Sequence, residues 1–122
     1  MGIETSQSLE PFGAFVTGWC PTRELGAEDL EQIRSALQQH LVLVFRGHDT
    51  PTDGDLVRFA SRFGDLVKGT EWFGDIVEFP EILPITNRVG EDGVALGTGG
   101  AAEFPWHADY SYVPRPGKES FL

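Results

Sequence analysis

The sequence is poor in cysteine, in basic residues and in long apolar runs, and each shortage closes off a class of protein. Cys20 is the only cysteine among 122 residues, so no intrachain disulfide framework exists and a reducing compartment is expected. Against 19 Asp and Glu stand 9 Lys and Arg, a formal net charge of -10. Phosphate backbones and anionic lipid surfaces are repelled by such a chain, so neither nucleic acid nor membrane is an expected partner. No stretch approaches the roughly 18 consecutive apolar residues of a membrane span. Met1 to Phe15 lacks the basic start and apolar run of a signal peptide, and a cytoplasmic protein is expected.

What is present argues for a packed core. With 40% hydrophobic residues, 9 Phe and 3 Trp, the chain has the apolar surface that disordered sequences lack. Its length allows one ordinary domain, so residues 1–122 are read as a single domain.

Phe12, Phe15 and Val16 suggest a short extended entry segment before the turn at Pro21. Leu30, Ile33 and Leu37, with Ala36 beside them, predict an amphipathic helix over Ala27 to His40, with Glu28, Asp29 and Glu31 suiting its first turn. Leu41 to Phe45 is an unbroken apolar run with β-branched residues, predicting a strand buried on both faces. After a turn at Arg46 to Asp49 comes a second helix, capped by Thr52 or Asp53, striped by Leu56, Phe59, Ala60 and Phe63 and ended by Gly64. Trp72, Phe73, Ile76, Val77 and Phe79 have no clean period and read as a covering loop. Ile82 to Thr86 and Val94 to Leu96 read as two short strands around a turn. Gly97 to Ala102 reads as a lid or linker, without the Lys of a phosphate loop or the dinucleotide fingerprint. Trp106 to Tyr112 alternates aromatic and ionisable residues, which predicts a strand.

Chemistry concentrates in that last segment. Residues i and i+2 of a strand share a face, so His107 and Asp109 project side by side, with Ser111 continuing the face and Tyr110 opposite. A neutral imidazole and one carboxylate suit Fe(II), and one further His would complete the two-His, one-carboxylate triad, which leaves three positions open for a bidentate 2-oxoacid and dioxygen. Taken alone, His-x-Asp is a short motif, and an arbitrary occurrence is more often a hydrogen-bonded surface pair.

The order of motifs adds to this. Val44-Phe45-Arg46-Gly47, Arg62-Phe63-Gly64-Asp65 and Trp106-His107-Ala108-Asp109 follow one another as in the N-terminal half of the taurine dioxygenase family, which the chain resembles from about Glu10 to Leu122. The resemblance implies a mixed α+β, mostly β fold: the N-terminal part of a double-stranded β-helix, or jelly roll, with helices packed outside. It implies His107 and Asp109 as metal ligands and catalytic residues, Fe(II) as cofactor and 2-oxoglutarate as cosubstrate. The implied activity is that of an oxidoreductase: hydroxylase-type oxidation of a small molecule by dioxygen, with decarboxylation of 2-oxoglutarate to succinate. Halogenating relatives replace the carboxylate by a small residue, so Asp109 marks an oxidising member. Glu103 and Phe104 occupy positions that contact substrate in some relatives, and Trp72 lies in a loop that is near the pocket in relatives and could close over a substrate, with core packing the alternative. Arg46 is expected to pair with a carboxylate or cap carbonyls.

The family's second iron His and the Arg that holds 2-oxoglutarate lie beyond the matching segment, and neither His40 nor His48 substitutes for the missing ligand. A fragment of a longer enzyme is therefore expected. The alternative is an inactive jelly-roll remnant serving as a binding module. A zinc hydrolase is a third reading, disfavoured because no His-x-x-x-His pair or attendant Glu accompanies His107.

Overall fold

Leu30, Ile33 and Ala36 recur at the spacing that places them along one side of a helix, and the computed structural model contains that helix, α1, over Ala27–His40, with all three buried. Glu28 and Asp29 sit at the positive end of its dipole. It stops at Leu41, whose φ of 68° is the left-handed conformation that a residue with a Cβ adopts only at a cost. The structure describes residues 2–8, 10–68, 78–100 and 103–122. These fall into two compact units, Met1–Gly64 and Asp65–Leu122.

In the first unit, β1 (Glu4–Gln7) and β2 (Ala14–Thr17) pair antiparallel, and β2 pairs in parallel with β3 (Leu43–Phe45). Parallel neighbours need a long crossover, and α1 supplies it. The turn between β1 and β2 closes with the Ser8 N–H donating to the Gly13 carbonyl at 3.2 Å. Just past β2, Gly18 has a φ of 83°, and a Cβ there would lie 2.4 Å from the Gly2 carbonyl oxygen, so only glycine fits.

The strand expected over Leu41 to Phe45 is shorter and less buried than its composition predicts. It is the outer strand of the order β1-β2-β3, and only the sheet face carrying Val16 is covered. On the other face Val44 and its register partner Phe15 are exposed. Arg46, expected to meet a carboxylate or carbonyls, holds its guanidinium 5.4 Å from the Phe15 ring centre instead.

Helix α2 (Asp53–Ala60) starts on a capping box. The Asp55 N–H donates to the Thr52 hydroxyl oxygen at 3.2 Å, while the Thr52 N–H and O–H donate to Asp55 Oδ2 at 3.0 and 2.7 Å. Val16, Trp19, Leu25, Leu30, Ile33 and Phe59 are buried together, with Leu43, Phe45 and Phe63 packed against them. Trp19, Phe45 and Phe59 are mutually in contact, with ring centroids 4.8–5.4 Å apart in edge or tilted orientations.

The second unit is different in kind. Its strands are β4 (Ile85–Thr86) and β5 (Thr98–Gly99), paired in parallel. The strand expected over Ile82 to Thr86 is cut to its last two residues, and the one expected over Val94 to Leu96 to a single bridge between Val89 and Ala95. Thr98–Gly99, expected in a lid or linker, is a strand. Gly97 allows this, because a Cβ there would lie 2.4 Å from the Pro84 carbonyl oxygen. Ala101 and Ala102, and the covering-loop residues Trp72, Phe73, Ile76 and Val77, lie outside the described residues. No described residue of this unit is buried. No helix among the described residues is long and apolar enough to cross a membrane.

Two predictions follow from the first unit. Ile33, 2% exposed, cannot be shortened without leaving a cavity, so Ile33→Ala should lower stability by about 2–5 kcal/mol, read as a lower denaturant midpoint by circular dichroism. The Thr52 hydroxyl and N–H, together with the Arg58 guanidinium, hold the Asp55 carboxyl below the ordinary carboxylate value. A depressed native pKa means the stabilisation is fully present above the ordinary value and is lost as pH falls through the native one. Acidification through that range should therefore lower the melting temperature more in the natural sequence than in Asp55→Asn.

Candidate functional site

His107 and Asp109 come together without the strand expected of them. Residues 106–112 run through bends and turns, and among the described residues no strand lies beside them to form a ladder. An extended segment without a neighbour leaves its backbone groups unpaired, so alternation of residue types is not enough to make a strand. Tyr110 has a φ of 54°, and the Val113 N–H donates to the Tyr110 carbonyl at 3.1 Å, so the chain turns immediately after Asp109.

The turn still places the two side chains in register. His107 Nε2 lies 3.2 Å from Asp109 Oδ1, and both side chains are more than half exposed. His107 Nδ1 lies 2.8 Å from the Pro105 carbonyl oxygen. A carbonyl can only accept, so Nδ1 carries a proton and donates it. In the neutral ring the lone pair is then on Nε2, the atom facing the carboxylate. Two acceptors 3.2 Å apart require a cation or a proton between them. With a proton the pair is an exposed ion pair, a class that contributes about 0–1 kcal/mol. With a metal it is a pair of adjacent ligands. Octahedral neighbours bound at about 2.1 Å are separated by about 3.0 Å, close to the spacing observed. The donor set, one imidazole nitrogen and one carboxylate oxygen, fits an Fe(II) ion.

Among the described residues no group of three His, Cys, Asp or Glu side chains is placed to hold a metal, so the pair stands as two ligands. Phe104 inclines its ring toward His107, with centroids 6.0 Å apart. Phe104, Trp106 and His107 line a shallow, open hollow of about 340 Å³. Glu103, one residue earlier, is exposed and is not among the residues lining the hollow, and Trp72 lies outside the described residues. Ser111, expected to continue the ligand face of a strand, lies in the turn that follows Asp109.

Sequence reasoning missed two contributors. The Pro105 carbonyl fixes the imidazole tautomer, and nothing in a sequence distinguishes one backbone acceptor from another. Tyr110 supplies the left-handed residue that reverses the chain, in a position where Asn or Gly would have announced it.

Comparison with known proteins agrees with the order of motifs. The family model for the taurine catabolism dioxygenase TauD, TfdA family matches residues 6–122. Pentalenolactone F synthase from Streptomyces avermitilis is 43% identical over 110 residues, covering 90% of this chain. The protein of the same name from Streptomyces arenae is 43% identical over 112 residues, covering 92%. The chain spans 36% and 37% of the length of these two relatives. Among solved structures, one described as an alpha-ketoglutarate-dependent taurine dioxygenase from Burkholderia xenovorans matches with a TM-score of 0.58 and 31% identity, over 71% of this chain and 32% of that one. AAD-2, in complex with Mn(II) and N-oxalylglycine, matches with a TM-score of 0.50 and 30% identity, over 54% of this chain and 26% of its own. The small mixed sheet and two helices correspond to a part of that jelly-roll fold. On the match across residues 6–122, this chain belongs to the TauD, TfdA family of dioxygenases.

Proposed function

We propose that this chain supplies two of the three protein ligands of an Fe(II)/2-oxoglutarate-dependent dioxygenase that oxidises a small organic molecule. The observation that carries the reading is the pairing of His107 Nε2 with Asp109 Oδ1 at 3.2 Å while Nδ1 is held by the Pro105 carbonyl. Hydrogen-bonding the remote nitrogen of a ligating histidine to an acceptor fixes the ring and raises the basicity of the other nitrogen. Family membership and the descriptions of the matched structures, one alpha-ketoglutarate-dependent and one holding Mn(II), support it.

Bound iron, with 2-oxoglutarate, would supply the oxidising power, turning dioxygen on an unreactive carbon with release of succinate and carbon dioxide. What the chain's own residues do is simpler. His107 and Asp109 would hold the ion through one imidazole nitrogen and one carboxylate oxygen. The turn at Tyr110 keeps Asp109 facing the imidazole, and Phe104 and Trp106 offer exposed apolar surface beside it, against which a substrate carbon could rest. A third ligand and a cation for the distal carboxylate of 2-oxoglutarate are further requirements of the reading.

The test is oxygen uptake by this sequence carried in a chain of the relatives' full length. Consumption should require both Fe(II) and 2-oxoglutarate and should yield succinate. Asp109→Ala should reduce it roughly a hundredfold or more with the circular dichroism spectrum unchanged, since a metal ligand is lost and not a core residue. Uptake that is indifferent to 2-oxoglutarate, or an Asp109→Ala variant of full activity, would contradict the assignment.

A further inference from the structure

A second feature lies wholly within the first unit and is independent of the metal-binding reading. Loop residues Trp19 to Leu25 and the C-terminal half of α2 with its following turn enclose a cleft of about 190 Å³. Its inner wall is apolar, from Trp19, Leu25 and Phe59, each 8% exposed. Arg23, Arg58 and Arg62 also line it. A third of the chain's 9 basic side chains thus gather around one small hollow of a protein whose net charge is -10.

Two acidic groups share the cleft, Asp55 paired with Arg58 and Glu24 with Arg62, so three arginines against two carboxylates leave it with an excess of one positive charge. Asp55 is committed to the helix start, accepting from the Thr52 N–H and O–H as well as from Arg58 Nη2. Glu24 reaches Arg62 at 3.2 Å from a side chain that is 82% exposed, a pairing of the weak, readily exchanged kind. The guanidinium of Arg58 is meanwhile held over the cleft, because its Nη2 also donates to the Pro21 carbonyl at 2.7 Å. The backbone carrying Arg62 is tied down too, as its carbonyl accepts from Arg34 Nη2 at 2.8 Å. Closing the end of α2 with cations explains basic residues there, but not a hollow with an aromatic wall between them.

We infer that this cleft is a binding site for a small carboxylate with an aromatic or branched apolar body. The carboxylate would displace Glu24 from Arg62 and take charge-assisted hydrogen bonds from Arg62 and Arg58, while the body lies on Trp19 and Phe59. Benzoate is the minimal probe, benzyl alcohol its neutral counterpart and inorganic phosphate an anion with no apolar body. In a nitrogen–proton correlation spectrum of this chain, with the Trp19 indole signal assigned by Trp19→Phe, benzoate at millimolar concentration should shift that signal saturably. Benzyl alcohol and phosphate should not. Arg62→Gln should weaken benzoate about tenfold or more, and Glu24→Gln, which frees Arg62 while leaving the core untouched, should tighten it. The inference is overturned if benzoate produces no saturable shift. Equal shifts from benzyl alcohol would mean an apolar hollow only, and equal shifts from phosphate an unspecific cationic patch; either also overturns it. Tightening by Glu24→Gln cannot arise from misfolding, so it separates loss of the site from loss of the fold.

Discussion

The interaction on which the functional reading depends is the hydrogen bond from His107 Nδ1 to the Pro105 carbonyl. It decides which imidazole nitrogen keeps its proton, and therefore which one faces Asp109. Were the tautomer reversed, an N–H would simply donate to the carboxylate and the pair would be a satisfied surface contact. With Nδ1 occupied, a ring without a second proton would meet the carboxylate lone pair to lone pair across 3.2 Å. That contact calls for positive charge between them, supplied by a proton or by a metal ion. The chain reaches it locally, within the six residues Pro105 to Tyr110, through a Pro carbonyl on one side and a left-handed Tyr110 on the other.

The two units differ in how much apolar surface their described residues bury. The first has a crossover helix, a capped second helix and an aromatic centre in Trp19, Phe45 and Phe59, so its fold is determined by burial. In the second, Ile85, Val89, Val94, Leu96, Phe104 and Trp106 all remain exposed, and the described strands are two residues long. A jelly roll forms its core between facing sheets. The chain spans little more than a third of the length of the curated relatives it matches. The candidate ligands belong to the second kind of structure, held by local turns and not by a core.

Legibility in the sequence follows the same division. Helix α1 has the bounds its periodicity predicts, and Thr52 caps α2, because both depend on side chains a few residues apart. The Leu41 to Phe45 strand was readable as a strand but not as an outer one, since position in a sheet depends on what lies beside it. Trp106 to Tyr112 has the composition of a strand and forms turns, for want of a neighbour among the described residues. The candidate ligands were proposed from the sequence because His-x-Asp sits in a recognisable order of motifs. Their geometry was not, since it rests on one carbonyl and one unusual backbone angle.

The most direct test of the central claim uses Mn(II) as a paramagnetic stand-in for Fe(II) in nuclear magnetic resonance of this chain. At substoichiometric Mn(II), the amide signals of Trp106 to Tyr110 and the His107 ring should broaden first, and His107→Ala should remove the effect. A chain with a net charge of -10 has other carboxylates to offer, among them Glu28 and Asp29 of α1 and Glu91 and Asp92. Broadening that centres on those acids and is unchanged by His107→Ala would contradict the account.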